Sequence, residues 1–231
     1  MVSNINAFDG DGHVEEWEET FSDKYLDEEF RDRRPVVIET GENERDYKWL
    51  IEGETFRIGG SPSSKGGVVS LEYEKMSKWR GSHESGEFHS AQHRLEVMDA
   101  EDTLISVNYP TLLLQWPVAK DPKLNQALTR SYNNWVADIS SQAPDRLKWV
   151  TVICPSDPEE AAREMIRTQK MGSVGVMVLG EYNEKGLDHP DFAIIWQTAN
   201  DIGMPVNVHP GTGALKAWAD YPSVAADQFL M

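Results

Sequence analysis

The chain has 231 residues, of which 39% are hydrophobic and 26% charged, so it can bury a sizeable core and is not a disordered protein. Its formal net charge of −17 disfavours nucleic acid and anionic membranes as partners, and its single cysteine, Cys154, excludes an internal disulfide and a cysteine-rich metal site. No apolar run reaches the roughly 18 residues of a membrane span and the N-terminus lacks a signal-peptide pattern, so we expect a cytoplasmic protein.

The first predicted strand is NINAFDGDGH, which ends at His13. A polar stretch rich in Gly and Ser follows over residues 14–88, and we predict that it is an insertion folded over the end of a sheet. Within it, VVIETGENERDYKWLIEGETFRI predicts a β-hairpin, and IGGSPSSKGG (58–67) predicts a flexible loop.

The second half of the chain alternates strand-like and helical patterns. After a predicted helix over 89–102, four apolar runs rich in β-branched residues predict buried strands: TLISVNYP (103–110), LKWVTVICP (147–155), VGVMVLG (174–180) and MPVNVHPG (204–211). The helical patterns between them begin near prolines 122, 158 and 190, which are 36 and then 32 residues apart. This is the period of repeated βα units, which take roughly 30 residues each.

Three features predict the ends of these helices. Asp121 caps the first helix with Pro122 in its first turn, Ser156 and Glu159 form a capping box for the second, and Gly203 ends the third, which has an apolar stripe from Phe192. Repeated parallel βα units make either a doubly wound sheet or a β/α barrel, and composition alone leaves both open. No Gly-rich dinucleotide fingerprint or P-loop is present.

Asp11 and His13 are the first candidate metal ligands. Alternate residues of an extended strand share a face, so a carboxylate oxygen and an imidazole nitrogen can converge on one cation. The alternative is a solvated acidic turn, and spacing alone favours that alternative. We expect Asp9 on the same face, one pleat deeper.

Polar residues at the ends of the later strands are the next candidates. His209 ends the 204–211 run, where it is either a ligand or a hydrogen-bonded core histidine. Tyr109 ends the 103–110 run and is expected either to face the site or to pack in the core. Cys154 lacks an adjacent base, which favours a buried, inert thiol over a nucleophile.

Five ordered blocks resemble the amidohydrolase superfamily, and more narrowly its aminocarboxymuconate-semialdehyde decarboxylase-like branch of metal-dependent hydrolases and decarboxylases. The resemblance runs from about residue 9 to residue 213. The blocks are DGDGHVEEWEETFSDKYLDEEFRDRRPVV, VMDAEDTLISVNYPT, SYNNWVADISSQAPDRLKWVTVICPSDPEEAAREM, MGSVGVMV and LDHPDFAIIWQTANDIGMPVNVHPGTG.

The resemblance implies an α/β fold, a (β/α)₈ TIM barrel with one divalent metal at the C-terminal ends of its strands. Residues 1–231 would then form a single domain, incomplete after about the fifth strand, with the insertion of 14–88 after the first strand. Carried over by position, the metal ligands are Asp11, His13 and His209. Zinc is the expected metal and manganese the alternative. The family's catalytic His and Asp would lie beyond residue 231, so no catalytic residue is assigned.

Several other residues have weaker assignments. Glu16 matches an acidic position of the family, so it is expected either to orient a ligand or to be solvated surface, and Trp79 and Arg80 could shape a pocket for a planar anion. Histidines elsewhere are expected to lie at the surface or, for His189, to cap a helix; the surface set is His83, His89 and His93.

The resemblance implies a hydrolase or a non-oxidative decarboxylase (carboxy-lyase) that acts on a small, carboxylate- or carbonyl-containing compound. Both reactions suit a divalent metal site, and the sequence does not separate them. The alternatives are a catalytically incomplete half-barrel that needs a partner and a metal-free binding module. The expected partner is a small-molecule substrate, and homo-oligomerisation stays open.

Overall fold

A computed structural model of the chain describes residues 7–39, 47–57, 88, 90–183 and 185–209. Within these residues the strands are β1 (Ala7–His13), β2 (Val36–Glu39), β3 (Tyr47–Ile51), β4 (Glu54–Arg57), β5 (Thr103–Tyr109), β6 (Leu147–Val152), β7 (Gly175–Leu179), β8 (Glu181–Tyr182), β9 (Lys185–Gly186) and β10 (Val206–His209). The α-helices are α1 (Ala91–Ala100), α2 (Pro122–Ser140), α3 (Pro158–Gln169) and α4 (Ala193–Ile202). Short 3₁₀ helices cover Glu18–Phe21, Glu28–Arg33, Leu112–Leu114 and Pro190–Phe192.

The central sheet has five parallel strands in the order β1-β5-β6-β7-β10. This order follows the chain without a reversal, whereas a doubly wound sheet reverses its order at a switch point. The sheet is therefore of the barrel type, a curled half-barrel in which β1 and β10 are the two edges of the described part. The five predicted strands of this sheet are confirmed, and so is the mixed α/β class.

The helix ends follow from local chemistry. The Asp121 carboxylate accepts the Lys123 N–H at 2.9 Å ahead of α2, as predicted, and Gly203 ends α4 with a left-handed φ of 64°. The capping box predicted for Ser156 and Glu159 is wrong by one residue. Asp157 caps α3 instead, because its carboxylate directly precedes Pro158 and accepts the Glu160 N–H at 3.0 Å.

The core lies between the sheet and its helices. The apolar stripe of α2 is buried, through Leu124, Leu128, Trp135 and Ile139. Cys154, just after β6, is buried, and burial raises the pKa of its thiol to about 11, in agreement with an inert thiol. Among the described helices, none has both the length and the apolar character that a membrane span requires.

The described part of residues 14–57 packs against α2. Its strands β2, β3 and β4 form an antiparallel sheet, which confirms the predicted hairpin and adds a third strand. Trp49 of this sheet packs edge-on against Phe21, with ring centroids 5.6 Å apart, and both side chains are buried. The Ser131 hydroxyl of α2 donates to the Thr20 carbonyl at 2.6 Å. The loop predicted at 58–67 lies outside the described residues.

Candidate metal centre

Three side chains meet at the C-terminal ends of β1, β5 and β10. The β1–β5 pairing places His13 beside Tyr109, and His209 is the last residue of β10. The two imidazole rings lie 5.1 Å apart edge-to-face, and the Tyr109 ring lies 6.2 Å from His13 and 5.6 Å from His209. Parallel strands end at one rim, and the curl of the sheet brings β1 and β10 together across it.

The nitrogen atoms of the two histidines converge on one carboxylate oxygen. Asp11 Oδ1 lies 3.3 Å from His209 Nε2 and 3.8 Å from His13 Nε2. One ligand atom from each of the three residues lies within 4.8 Å of the others. A zinc ion about 2.0–2.2 Å from each ligand needs ligand atoms roughly 3–4 Å apart. The donor set, two imidazoles and one carboxylate, is of a type that binds divalent cations, and both distances from Asp11 Oδ1 fall in this range.

A backbone contact fixes the orientation of His13. Its Nδ1 lies 2.8 Å from the Pro110 carbonyl oxygen, so Nδ1 carries the proton and donates. This tautomer leaves the lone pair on Nε2, the atom that faces Asp11. A carbonyl behind the second ring nitrogen is the usual partner of a metal-bound histidine.

The cluster is open to solvent on one side. The Asp11 side chain is 70% exposed, that of His13 36% and that of His209 12%, so the carboxylate stands at the mouth and the imidazoles lie deeper. A small ligand can therefore reach all three residues. The structure brings together the three residues predicted as ligands, with Tyr109 beside them, and their role in metal binding stays a prediction.

The expectation for Asp9 is wrong because β1 contains a bulge. Asp9 pairs with Ser106 and Gly12 pairs with Asn108, so three steps along β1 match two along β5. Asp9 and Gly12 therefore share one face, and Asp11 lies on the other with His13. Asp9 points towards α1, where its Oδ2 lies 3.1 Å from Ser106 Oγ and 3.6 Å from an Arg94 guanidinium nitrogen.

Glu16 is buried, with 1% of its surface exposed, so the interpretation as solvated surface is wrong. Its Oε2 accepts the N–H groups of Thr111 and Leu112 at 3.0 and 2.8 Å, and its Oε1 accepts that of Leu113 at 3.2 Å. Burial raises its pKa to about 7, against these amides, which lower it. Glu16 thus holds the segment after β5, whose first residue, Pro110, is the hydrogen-bond partner of His13.

The remaining candidates lie away from the cluster or outside the described residues. His189 caps the 3₁₀ helix at Pro190–Phe192, as predicted, and its Nδ1 accepts the Asp191 N–H at 3.2 Å. His93 lies partly buried on α1. Four candidates fall outside the described residues: Trp79, Arg80, His83 and His89.

The chain matches a protein-family model. A model described as "Amidohydrolase" matches residues 94–231, which is more than half of the chain. A curated relative, the gamma-resorcylate decarboxylase of Polaromonas sp. strain JS666, is 28% identical over 127 residues, which cover 51% of this chain and 38% of the relative.

Solved structures resemble the chain in fold. An amidohydrolase from Mycobacterium avium subsp. paratuberculosis K-10 gives a TM-score of 0.67 at 19% identity, covering 96% of this chain and 62% of that one. A 5-carboxyvanillate decarboxylase from Novosphingobium aromaticivorans DSM 12444 was solved in complex with manganese and 4-hydroxy-3-methoxy-5-nitrobenzoic acid. It gives a TM-score of 0.52 at 21% identity, and the match covers 65% of this chain and 43% of that one. The chain therefore spans less than two thirds of the length of each of these proteins.

Proposed function

Since this chain belongs to the amidohydrolase family, we propose that it acts as a metal-dependent carboxy-lyase, which removes the carboxyl group of a small aromatic acid without an oxidant. The observation that carries the proposal is the convergence of Asp11, His13 and His209 at the strand ends. Two similar proteins, the gamma-resorcylate and the 5-carboxyvanillate decarboxylases, support the choice of reaction and substrate class.

The metal is proposed to be zinc or manganese. Two imidazole nitrogens and one carboxylate oxygen suit zinc, and the structure of the 5-carboxyvanillate decarboxylase contains manganese. A divalent cation would also reduce the electrostatic repulsion between the site and an anionic substrate. The chain carries a formal charge of −17, and Asp11 stands at the mouth, so an anionic substrate is repelled unless a cation reverses the local field.

Non-oxidative decarboxylation breaks the bond between the ring carbon and the carboxyl carbon. The electron pair stays on the ring carbon, which takes up a proton, and carbon dioxide leaves. A bound cation supplies Lewis acidity that draws electron density from the oxygens of the substrate. His13, held by the Pro110 carbonyl, and His209 would provide a fixed pair of nitrogen ligands, and the buried Tyr109 ring packs beside both imidazoles.

The test is turnover by the full chain after loading with Mn²⁺ or Zn²⁺. The substrates are 2,6-dihydroxybenzoate and 5-carboxyvanillate, and chromatography of the phenolic product together with carbon dioxide release provides the readout. We expect turnover that requires the metal and is lost in His209→Ala. Bound metal without product, from either acid, would contradict the proposed reaction and favour the catalytically incomplete half-barrel.

Hydrolysis of an amide or a lactone is the second candidate. It is supported by the family itself, whose description is "Amidohydrolase", and it would use the same ligand cluster. The two reactions separate in one experiment, because a panel of amides and lactones releases acid without carbon dioxide. Activity on this panel, with none on the aromatic acids, would replace the first candidate by the second.

A further inference from the structure

We propose that Asp9 and Arg94 are positioning residues for the metal site, because they hold the bulge in β1 that turns Asp11 towards the two histidines. The inference rests on the proposed metal centre. It assigns a role to a partly buried ionic cluster on the side of β1 that faces α1, away from the proposed ligands.

The Asp9 carboxylate joins the bulge to the helix through both of its oxygens. Oδ1 accepts the backbone N–H of Asp11 at 3.2 Å, which ties the carboxylate directly to the residue that carries the ligand oxygen. Oδ2 lies 3.1 Å from the Ser106 hydroxyl and 3.6 Å from the Arg94 guanidinium. Asp9 therefore couples the backbone position of Asp11 to α1 and β5.

Arg94 and its neighbours make this anchor rigid. The Arg94 side chain is 9% exposed, and its Nη2 donates to Ser106 Oγ at 3.1 Å. Ser106 Oγ also lies 3.2 Å from Asn108 Oδ1, and the Asn108 amide donates to the Lys148 carbonyl at 2.7 Å. A buried guanidinium is stabilised by carboxylates nearby, and the Asp9 carboxylate, 3.6 Å away, is one such partner of Arg94.

Gly12 shows how closely the bulge is packed. A Cβ atom at this position would lie 2.4 Å from Ser106 Oγ and 2.5 Å from Asp9 Oδ2. Both contacts are shorter than any ordinary packing distance, so a side chain here would displace either Asp9 or the strand. The glycine thus lets the ionic cluster sit directly against β1.

The bulge determines which face Asp11 occupies. In a regular strand Asp9, Asp11 and His13 would share one face, because side chains alternate. The added residue places Asp9 with α1, and Asp11 and His13 with His209. Loss of the Asp9 carboxylate removes the acceptor for Asp11 N–H and the charge that faces Arg94, so the bulge can relax and Asp11 Oδ1 can leave the point where the two Nε2 atoms meet.

A second ion pair on α1 provides a matched control. Arg146 Nη1 lies 2.7 Å from Asp99 Oδ1, which also links α1 to the sheet, but at the opposite ends of the strands. Asp99→Asn weakens the anchoring of the same helix without touching the bulge. If metal affinity depended only on how firmly α1 is attached to the sheet, both variants would lower it. If it depends on the position of Asp11, only the Asp9 variants should lower it.

The experiment measures Mn²⁺ affinity by isothermal titration calorimetry and the visible spectrum of bound Co²⁺, which reports coordination geometry. We expect Asp9→Ala to bind Mn²⁺ about tenfold to a hundredfold more weakly than the unmodified chain, the range found when a group that orients a ligand is removed. Asp99→Asn should bind within about twofold. Asp9→Asn keeps an acceptor for Asp11 N–H and loses the charge, so we expect an Mn²⁺ affinity between those of Asp9→Ala and the unmodified chain. If circular dichroism shows that Asp9→Ala is unfolded, the affinity of Asp9→Asn tests the positioning role instead.

Two results would overturn the inference and they differ in meaning. If the unmodified chain binds Mn²⁺ and every folded Asp9 variant binds it equally well with an unchanged Co²⁺ spectrum, the positioning role is wrong and the proposed metal centre stands. If the unmodified chain binds neither Mn²⁺ nor Zn²⁺, both proposals fail together.

Discussion

Two carboxylates that lie five residues apart, Asp11 and Glu16, have opposite surroundings. Asp11 is 70% exposed and faces two imidazole nitrogens, whereas Glu16 is 1% exposed and accepts three backbone amides. A buried carboxylate with its acceptor sites filled holds structure in place, since removing it leaves buried donors unpaired. A carboxylate that faces two imidazole rings at a solvent-accessible rim is instead available to a ligand.

The difference indicates that the loops after β1 and β5 contain two kinds of residue, those that stabilise the fold and those that are available to a ligand. Glu16 and the Thr111 hydroxyl, which donates to the Val14 carbonyl at 2.9 Å, hold the two segments together. Pro110 lies within this junction and accepts from His13 at 2.8 Å. The buried junction therefore supports the exposed cluster, and changes to the two should be separable: one should affect the stability of the fold, the other metal binding.

The largest expected effect comes from Glu16→Ala. This change leaves three amide donors without their acceptor, at about 1–3 kcal/mol each, so we expect the free energy of unfolding to fall by about 4 kcal/mol. Glu16→Gln keeps a carbonyl acceptor, so its free energy of unfolding should fall by less than half as much as that of Glu16→Ala. Urea denaturation measures both. If Glu16→Ala costs less than about 1 kcal/mol, the junction does not stabilise the fold.

The second effect belongs to the exposed cluster. His13→Ala removes one of three ligand atoms, and we expect Mn²⁺ or Zn²⁺ affinity to fall by more than about a hundredfold, beyond the loss of a group that only orients a ligand. The free energy of unfolding without metal should change by only about 1 kcal/mol, the value of the lost bond to Pro110. Calorimetry and urea denaturation on the same sample give both numbers. Equal affinity in the variant would remove His13 from the site.

The third effect is a pH dependence carried by Glu16. Burial raises the pKa of Glu16 from 4.5 to about 7, so between these values the folded chain keeps a proton that the unfolded chain has released. Stability should therefore fall as the pH rises through this window and level off above it, by about 3 kcal/mol at most. Glu16→Gln should lack this slope. Urea midpoints at pH 5.0 and 7.5 test it, and parallel profiles for the two proteins would refute the assignment.

The smallest effect is at the surface, where Asp138 of α2 accepts from Lys24 and Tyr25 at 2.7 Å each. These bonds lower the pKa of Asp138, yet its side chain is 46% exposed, so solvent screens the interaction. We expect Asp138→Asn to cost less than about 1 kcal/mol, and less still at high salt. If Asp138→Asn lowered the free energy of unfolding as much as Glu16→Ala does, burial would not explain the difference between Asp138 and Glu16.

Much of the fold could be predicted from the pattern of apolar residues. Buried parallel strands appear as continuous β-branched runs, and the helix start at Asp121 and the helix end at Gly203 are local signals, so these elements are confirmed. The convergence of His209 with Asp11 could be proposed because the resemblance to the amidohydrolase superfamily implies that both are ligands at the C-terminal ends of the strands.

The features that sequence reasoning missed depend on partners far away in the chain. Strict alternation places Asp9 with Asp11, and only the pairing with β5 reveals the bulge, although glycines at positions 10 and 12 were a local hint. Arg94 carried no signal at all, since a single arginine on a polar helix usually faces solvent. The burial of Glu16 likewise follows from amides about 95 residues away.

The sheet order has a consequence for how the site and the fold depend on each other. The proposed ligands Asp11 and His209 lie on strands at opposite edges of the described sheet, four strand spacings apart, which in a flat sheet would be about 19 Å. The curvature of the sheet, together with the bulge in β1, brings Asp11 Oδ1 to 3.3 Å from His209 Nε2. A cation bound there would connect β1 to β10 across the open rim. Its binding free energy and the free-energy cost of bending the sheet would therefore be thermodynamically linked. Metal affinity would then serve as a gauge of sheet curvature.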